Sequence, residues 1–273
     1  LLVKTLDEFS PAAVLHFAAS IEVGESVTNP LKYYRNNSAN ALNLLEALRI
    51  TGVDQMIFSS TAAVYGNPAE LPVVEETPLL PINPYGTSKM MTEHFLADLS
   101  QADKDFRYVA LRYFNVAGAD PRARTGQSTA GATHLIKVAV EAALGKRESV
   151  GVFGTDFDTP DGTGVRDYIH VVDLSLAHIA AMERLMQGKA AEPVEVFNLG
   201  TGTGSTVVEV ITAFERATGK KLQWDFAPRR AGDVIAAYAD TERAEKVLGW
   251  KAVRTLDQCM LDAWRWQETL PRK

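Results

Sequence analysis

The sequence of 273 residues is short of several things, and each absence excludes a class of protein. There is one cysteine, Cys259, so no internal disulfide framework is available. A lone thiol fits a reducing, cytoplasmic setting, with Cys259 read as a small filler on the last helix. No apolar run approaches the roughly eighteen residues of a membrane span. Positive charge is not in excess: 28 Lys and Arg stand against 34 Asp and Glu, a net charge of -6. That balance argues against a nucleic-acid partner, which wants a basic face. It leaves room for a phosphorylated small molecule held by a few placed arginines. There is no internal repeat. There is also no signal-peptide pattern and no initiating methionine. The chain opens inside Leu1-Leu2-Val3-Lys4-Thr5-Leu6, which reads as a helix, and the expectation is a truncated start.

What is present alternates strand with helix. Apolar runs at Val14–Ala19, Met56–Ser60 and Tyr108–Arg112 read as buried strands. Leucines at Leu42, Leu44, Leu45 and Leu48 recur at helical spacing within about Pro30–Arg49, and Gly52 is a stop signal. Another helix starts near Tyr85. This order predicts a parallel sheet with helices on both faces. Beyond Gly118 come polar loops at Asp120–Ala132 and Asp156–Gly164, a helix over Ala132–Leu144 and a strand over Val150–Phe153. A strand at Tyr168–Val171, a helix at Asp173–Met186 and a strand at Val194–Leu199 read as a return to the sheet. Helices are expected at Val207–Thr218, Thr241–Leu248 and Leu256–Thr269.

The sharpest chemical signal is Tyr85-Gly86-Thr87-Ser88-Lys89. Tyrosine and lysine four apart at a helix start share a face. An ammonium near a phenol favours the phenolate, so the pair is suited to general-base work. Alone, such a spacing is usually structural. Here it follows Ser59-Ser60-Thr61, hydroxyls bunched where a strand ends, and ligands bind at strand carboxyl ends in doubly wound folds. The bland alternative for those hydroxyls is a strand-capping turn. Gly200-Thr201-Gly202-Thr203-Gly204 imitates a dinucleotide loop but lacks the third glycine at the expected spacing. His16, His134 and His170 are not grouped at ligand spacing, so no metal is expected.

Taken together, the motif blocks are specific. Phe58–Gly66 and Pro84–Lys89 resemble the active-site pair of the extended short-chain dehydrogenases. His16–Ala19, Val23–Val27, Tyr33–Asn37, Leu111–Asn115, Asp161–Val171, Phe197–Gly202 and Ala227–Asp233 narrow the resemblance to the UDP-glucose 4-epimerases, in family order along the whole chain. The resemblance implies an α/β fold: a doubly wound parallel, Rossmann-like sheet, N-terminally truncated, with a smaller mixed α/β substrate-binding domain. Residues 1–118 would be the remainder of the NAD-binding domain, with 168–200 returning to its sheet. Residues 119–167 and 201–273 would hold substrate. The family's Gly-rich strand–turn–helix is not in this sequence. The implied activity is NAD-dependent 4-epimerisation of UDP-glucose and UDP-galactose through a 4-keto intermediate. Tyr85 would be the base on the sugar 4-hydroxyl, Lys89 would bind the nicotinamide ribose, and Thr61 would share the substrate oxygen. Phe17, Ala18, Ala19, Asn36, Ser59, Tyr85, Lys89 and Phe114 would meet the cofactor. Thr61, Asn115, His134, Leu135, Val152, Phe153, Arg166, Arg230 and Asp233 would hold the UDP-sugar. The arginines suit a diphosphate, which guanidinium grips through two bonds. Helices around Ala39–Arg49 and Tyr85–Leu99 pair two protomers in this family, which implies a homodimer.

Departures qualify the resemblance. Ile21 stands where the best-known bacterial relatives carry a lysine on the cofactor loop. Ala237, beside Tyr238, stands opposite a bulky residue and would enlarge the sugar pocket for N-acetylated substrates. A 4,6-dehydratase on this scaffold would need an Asp-Glu pair after Thr61, where Ala62-Ala63 are found; decarboxylation is less strongly opposed. The rival from another class is a non-catalytic sugar-nucleotide or partner-binding module.

Overall fold

The computed structural model describes residues 1–129, 131–230 and 232–271. Ala130, Ala231, Arg272 and Lys273 lie outside the described residues, so the Ala227–Asp233 motif is seen without Ala231. In chain order the elements are α1 (Leu2–Phe9), β1 (Val14–His16), α2 (Val23–Thr28), α3 (Pro30–Tyr33), a π-helical turn (Tyr34–Ala39), α4 (Asn40–Thr51), β2 (Gln55–Ser59), a 3-10 turn (Ala62–Tyr65), α5 (Pro84–Ala102) and β3 (Arg107–Tyr113). There follow β4 (Asn115–Ala117), α6 (Leu135–Ala143), β5 (Val150–Phe153), β6 (Val165–His170), α7 (Val171–Met186), β7 (Val194–Leu199), β8 (Gly204–Thr206), α8 (Val207–Thr218), β9 (Trp224–Ala227), β10 (Ala236–Ala237), a second π-helical turn (Ala244–Leu248) and α9 (Leu256–Thr269).

The main sheet runs β1-β2-β3-β7, all parallel. Its strands are apolar on both faces, as helices on both sides require. Met56, Phe58, Tyr108 and Ala110 point into a core shared with α1, α4 and α5. Their neighbours Ile57, Val109 and Leu111 point the other way, onto Leu174, Ala177, Ala181 and Leu185 of α7. The strand period of two thus divides each unbroken apolar run between two cores. A third core, around Ile136, Val140, Val150, Phe214 and Trp264, joins α6, α8, α9, β4 and β5. Among the described residues, no helix is long and apolar enough to cross a membrane.

Two expectations need correction. The strand near Tyr168–Val171 does not return to the main sheet. β7 already occupies the free edge of β3 along Tyr108–Tyr113. The chain breaks at Phe114, and β6 pairs with the continuation, β4, and with β10 and β8. Only α7 and β7 complete the return. The helix expected over Pro30–Arg49 is interrupted by the π-helical turn, the kind of local widening often found at functional sites.

The Gly200–Gly204 loop is an anion nest filled from within. The buried Asp167 carboxylate accepts from the backbone N–H groups of Thr201, Gly202 and Ala239 and from the Thr201 hydroxyl. No phosphate is needed to satisfy this loop. The approach is so close that a Cβ on Gly200 would sit 2.2 Å from Asp167 Oδ2. Gly200→Ala should therefore cost about 2–4 kcal/mol of stability, measured by urea unfolding; a loss under about 0.5 kcal/mol would show that the nest is not tight.

Candidate active site at the ends of β2 and β3

Helix α5 starts where it does because Asn83 Oδ1 accepts the Gly86 N–H at 2.9 Å and Pro84 needs no partner at the first helical position. Gly86 lets the helix settle on the 3-10 turn, since a Cβ there would lie 2.4 Å from the Ala63 carbonyl oxygen. That contact delivers Tyr85, 9% exposed, to the end of β2. The Thr61 hydroxyl oxygen accepts the Ala63 N–H at 3.2 Å, which leaves its proton to donate to the Tyr85 phenol. One turn on, Lys89 Nζ donates to the Ser59 carbonyl at 2.8 Å and lies 4.9 Å from the centroid of the Phe58 ring. Tyr85 and Lys89 therefore meet the same strand end.

The electrostatics differ from expectation. Burial pushes the Tyr85 phenol well above the usual tyrosine range, and the Thr61 hydrogen bond offsets only part of this. Lys89 does not pull the phenol down, because its amine is turned to a backbone carbonyl. Burial lowers the Lys89 amine itself to about 8, with Glu93 opposing the fall.

Around this pair lies a wall the sequence did not reveal. His178 Nδ1 meets the Leu174 carbonyl at 2.9 Å, so Nε2 is the acceptor for the Ser59 hydroxyl at 2.8 Å. Tyr113 also reaches Ser59. Phe17, 55% exposed, packs on His178 with ring centroids 4.8 Å apart. Ala18 and Ala19 continue from β1 beside it. The exposed Asn36 donates to the Ser20 hydroxyl at 3.1 Å. Its neighbour Asn37, buried, pins the same loop: it accepts from Ser20 N and donates to the Ser20 carbonyl and the Ser88 hydroxyl. Sequence reading picked Asn36 and missed Asn37; the π-helical turn that separates them by burial leaves no mark in the residue pattern. Tyr33, also missed, presents an edge to Tyr85 at 6.5 Å between centroids and is held by Glu22 and Glu25. Phe114 is buried against Val64 and Tyr65.

The substrate-side residues fall into two groups. Asn115, His134 and Leu135 meet at a cleft of about 40 Å³ that Tyr168, Gln127 and Trp266 complete. Arg166 lies two residues before Tyr168 on β6, on the same face of that strand. Arg230 pairs with Asp233 at 3.0 Å and covers the Phe153 ring at 4.5 Å. Val152 is fully buried beneath. Arg166 spends both terminal nitrogens on carbonyls of Val165, Val234 and Ile235, tethering the segment after β9 to β6. That segment reaches α2: a Cβ on Gly232 would lie 3.6 Å from Val23, Val27 and Asn83. The segment after β9 is thus strapped across to α2 and the start of α5. Among the described residues, no cluster of His, Cys, Asp or Glu is arranged to hold a metal.

A parallel doubly wound sheet carrying Thr61, Tyr85 and Lys89 at its strand ends, opposite an arginine-lined wall, is the layout of a nucleotide-sugar-modifying short-chain dehydrogenase. A family model described as GDP-mannose 4,6 dehydratase matches residues 1–262. UDP-glucose 4-epimerase of Azospirillum brasilense is 49% identical over 271 residues, 99% of this chain and 77% of the relative. The structure of UDP-glucose 4-epimerase from Bifidobacterium longum in complex with NAD+ and UDP superposes with a TM-score of 0.94 at 45% identity, covering 98% of this chain and 79% of that one. The UDP-Glc/GlcNAc 4-epimerase of Campylobacter jejuni matches with a TM-score of 0.82 at 45% identity, over 98% and 81% of the two chains. The chain belongs to the UDP-glucose 4-epimerase family, within the wider group that the family model describes.

The depressed Lys89 amine has a consequence for stability. Between about pH 8 and the ordinary value of 10.5 the unfolded chain binds the proton that the native state releases. Stability from this group is complete above that window and is lost as pH falls through 8. The charge costs the native state about 3 kcal/mol at pH 7, partly offset by its hydrogen bond of about 1 kcal/mol to Ser59. Lys89→Met should be more stable than the parent by about 2 kcal/mol at pH 7, with the difference shrinking through zero and reversing by about 1 kcal/mol as the pH rises past 10.5 in urea titrations. A variant less stable than the parent at pH 7 would contradict it.

Proposed function

We propose that this chain catalyses NAD-dependent 4-epimerisation of a UDP-hexose, interconverting UDP-glucose and UDP-galactose through a 4-keto form. The observation that carries this reading is the convergence of Tyr85, Thr61 and Lys89 on one strand end. The protein residues there suit a nicotinamide ribose: a half-exposed Phe17 face, the Asn36 amide and a lysine amine border one shelf. When bound, NAD supplies the hydride acceptor and donor for C4 of the sugar. Tyr85 takes the proton of the sugar 4-hydroxyl and later returns it, with Thr61 holding the same oxygen. Lys89 and Asn36 orient the ribose, while Ala18, Ala19 and Phe114 shape the floor. Arg166 and Arg230 anchor the diphosphate, and Asn115, His134, Leu135, Val152, Phe153 and Asp233 hold the remainder of UDP. Anchoring by the distant nucleotide leaves the hexose free to present either face to Tyr85, which an epimerase needs.

Residues 1–118, with α7 and β7, form the cofactor side; 119–167 and 201–273 form the substrate side. A homodimer through α4 and α5 fits a shallow apolar groove of Leu42, Leu45, Phe95 and Leu99, rimmed by Glu46, Arg49 and Asp98. A cytoplasmic setting fits the single, buried thiol of Cys259.

A second reading within the family, acceptance of N-acetylated UDP-sugars, rests on the small side chain of Ala237, which packs with Val64, Tyr65 and Phe114. The Campylobacter jejuni relative is named for both sugars.

Tyr85→Phe should lower UDP-galactose conversion roughly 10²–10⁴-fold while UDP binding by calorimetry stays within about twofold. Full activity in that variant would remove Tyr85 from the chemistry. Ala237→Tyr should cut turnover of UDP-N-acetylglucosamine at least tenfold with little effect on UDP-glucose, about 1.4 kcal/mol of discrimination; equal loss on both substrates would dissociate Ala237 from sugar choice.

A further inference from the structure

Three side chains of α5, spaced four residues apart, take hold of three consecutive residues at the end of β2. Tyr85 meets Thr61, Lys89 meets the Ser59 carbonyl, and Glu93 accepts the Ser60 hydroxyl in a very short hydrogen bond. Tyr85 and Lys89 are accounted for by the reaction; Glu93 is not. Its carboxylate is 6% exposed, an expensive place for a charge unless it is fully partnered. Arg112 of β3 supplies the partnership, with Nε at 3.1 Å from both carboxylate oxygens and Nη2 at 2.6 Å from Oε2. Arg112 is in turn fixed by the Tyr65 phenol at 2.9 Å and the Glu75 carbonyl at 3.0 Å. The Tyr65 phenol donates to Asn198 on β7 at 2.7 Å, so the carboxylate is braced from three strands.

We propose that Glu93 is a positioning residue for the proton-transfer pair, holding Ser60 so that Thr61 faces Tyr85 and setting its carboxylate one helical turn from the Lys89 amine. The inference rests on the epimerase reading for its purpose but not for its geometry. Lys89 is faced by few other groups. His16 of β1 feels its charge, Phe58 offers only a ring, and Ser59 brings His178 of α7 and Tyr113 of β3 as neutral partners. Glu93 is the carboxylate that acts on it, favouring the ammonium against burial. Arg112 lies beyond the carboxylate and pairs with it.

The experiment follows the Lys89 amine directly, by NMR of protein carrying lysine labelled at Cε, with Lys89→Arg assigning the signal. No substrate is present, so the result is independent of whether UDP-sugars are turned over. In the parent the amine should titrate near pH 8. In Glu93→Gln it should titrate about one unit lower, and the alkaline limb of UDP-galactose conversion should move with it. Glu93→Asp, which keeps the charge, should restore both to within about 0.3 units while lowering the melting temperature. If the amide variant leaves Arg112 unpaired and does not fold, Glu93→Gln/Arg112→Met removes both members of the pair, and a smaller downward shift is expected, because losing the Arg112 cation opposes losing the Glu93 anion. An unmoved Lys89 titration in whichever of these folds, with activity lost only in proportion to stability, overturns the proposal.

Discussion

The close seating of α5 on the end of β2 is the contact on which the site depends. It is made possible by a missing side chain at Gly86, fixed in direction by the Asn83 cap, and closed by hydrogen bonds to residues 59, 60 and 61. A helix pivoting away from this seat would separate Tyr85 from Thr61 and Lys89 from Ser59 together. Proton transfer tolerates little misplacement, so the scaffold invests in rigidity here: every polar group at the seat has a partner, and the helix is 19 residues long.

The rest of the molecule brings a second wall to that seat. β3 stops pairing with β7 at Tyr113, breaks at Phe114, and continues as β4 in a different sheet. That break carries the chain from the main sheet into a second sheet within three residues, placing Asn115 next to the end of β3. Arg166 then ties the segment after β9 back over the cleft through backbone carbonyls. A residue read as a ligand clamp is thus, in the ligand-free arrangement, also the peg of the strap, and the two duties are compatible because the five donors of a guanidinium exceed what the strap uses.

Much of this was legible in the residue pattern. Long apolar strands announce themselves, as does the helix whose leucines recur at helical spacing before Gly52. Tyr85 and Lys89 stood out because helical spacing puts them on one face. Glu93 has the same spacing and went unread, since an acidic residue on a helix is ordinarily a solvated one. His178 and Asn37 were invisible for another reason: their partners, Ser59 and Ser20, lie 119 and 17 residues away, and no local period encodes such pairs. The course of β6 was misjudged because an apolar strand does not say which edge is free to receive it. The loop at Gly200 was doubted on its glycine spacing and its place in the family order, whereas its decisive feature is a distant carboxylate, Asp167.

The opposed shifts at the catalytic pair bear on how the site avoids idle chemistry. Burial drives the phenol up and the amine down, so both favour their neutral forms, and the ligand-free site resists forming phenolate beside ammonium. Glu93 and Thr61 work against that tendency, one by holding a proton on Lys89 and the other by donating to the phenol oxygen. Neither overcomes burial by itself. The remaining difference has to come from charge and hydrogen bonds that arrive with the ligands, when water is expelled and each interaction strengthens. On the proposed function, a base made competent only by a filled pocket is safer than a permanently ionised one, because it acts when the hexose is already in place.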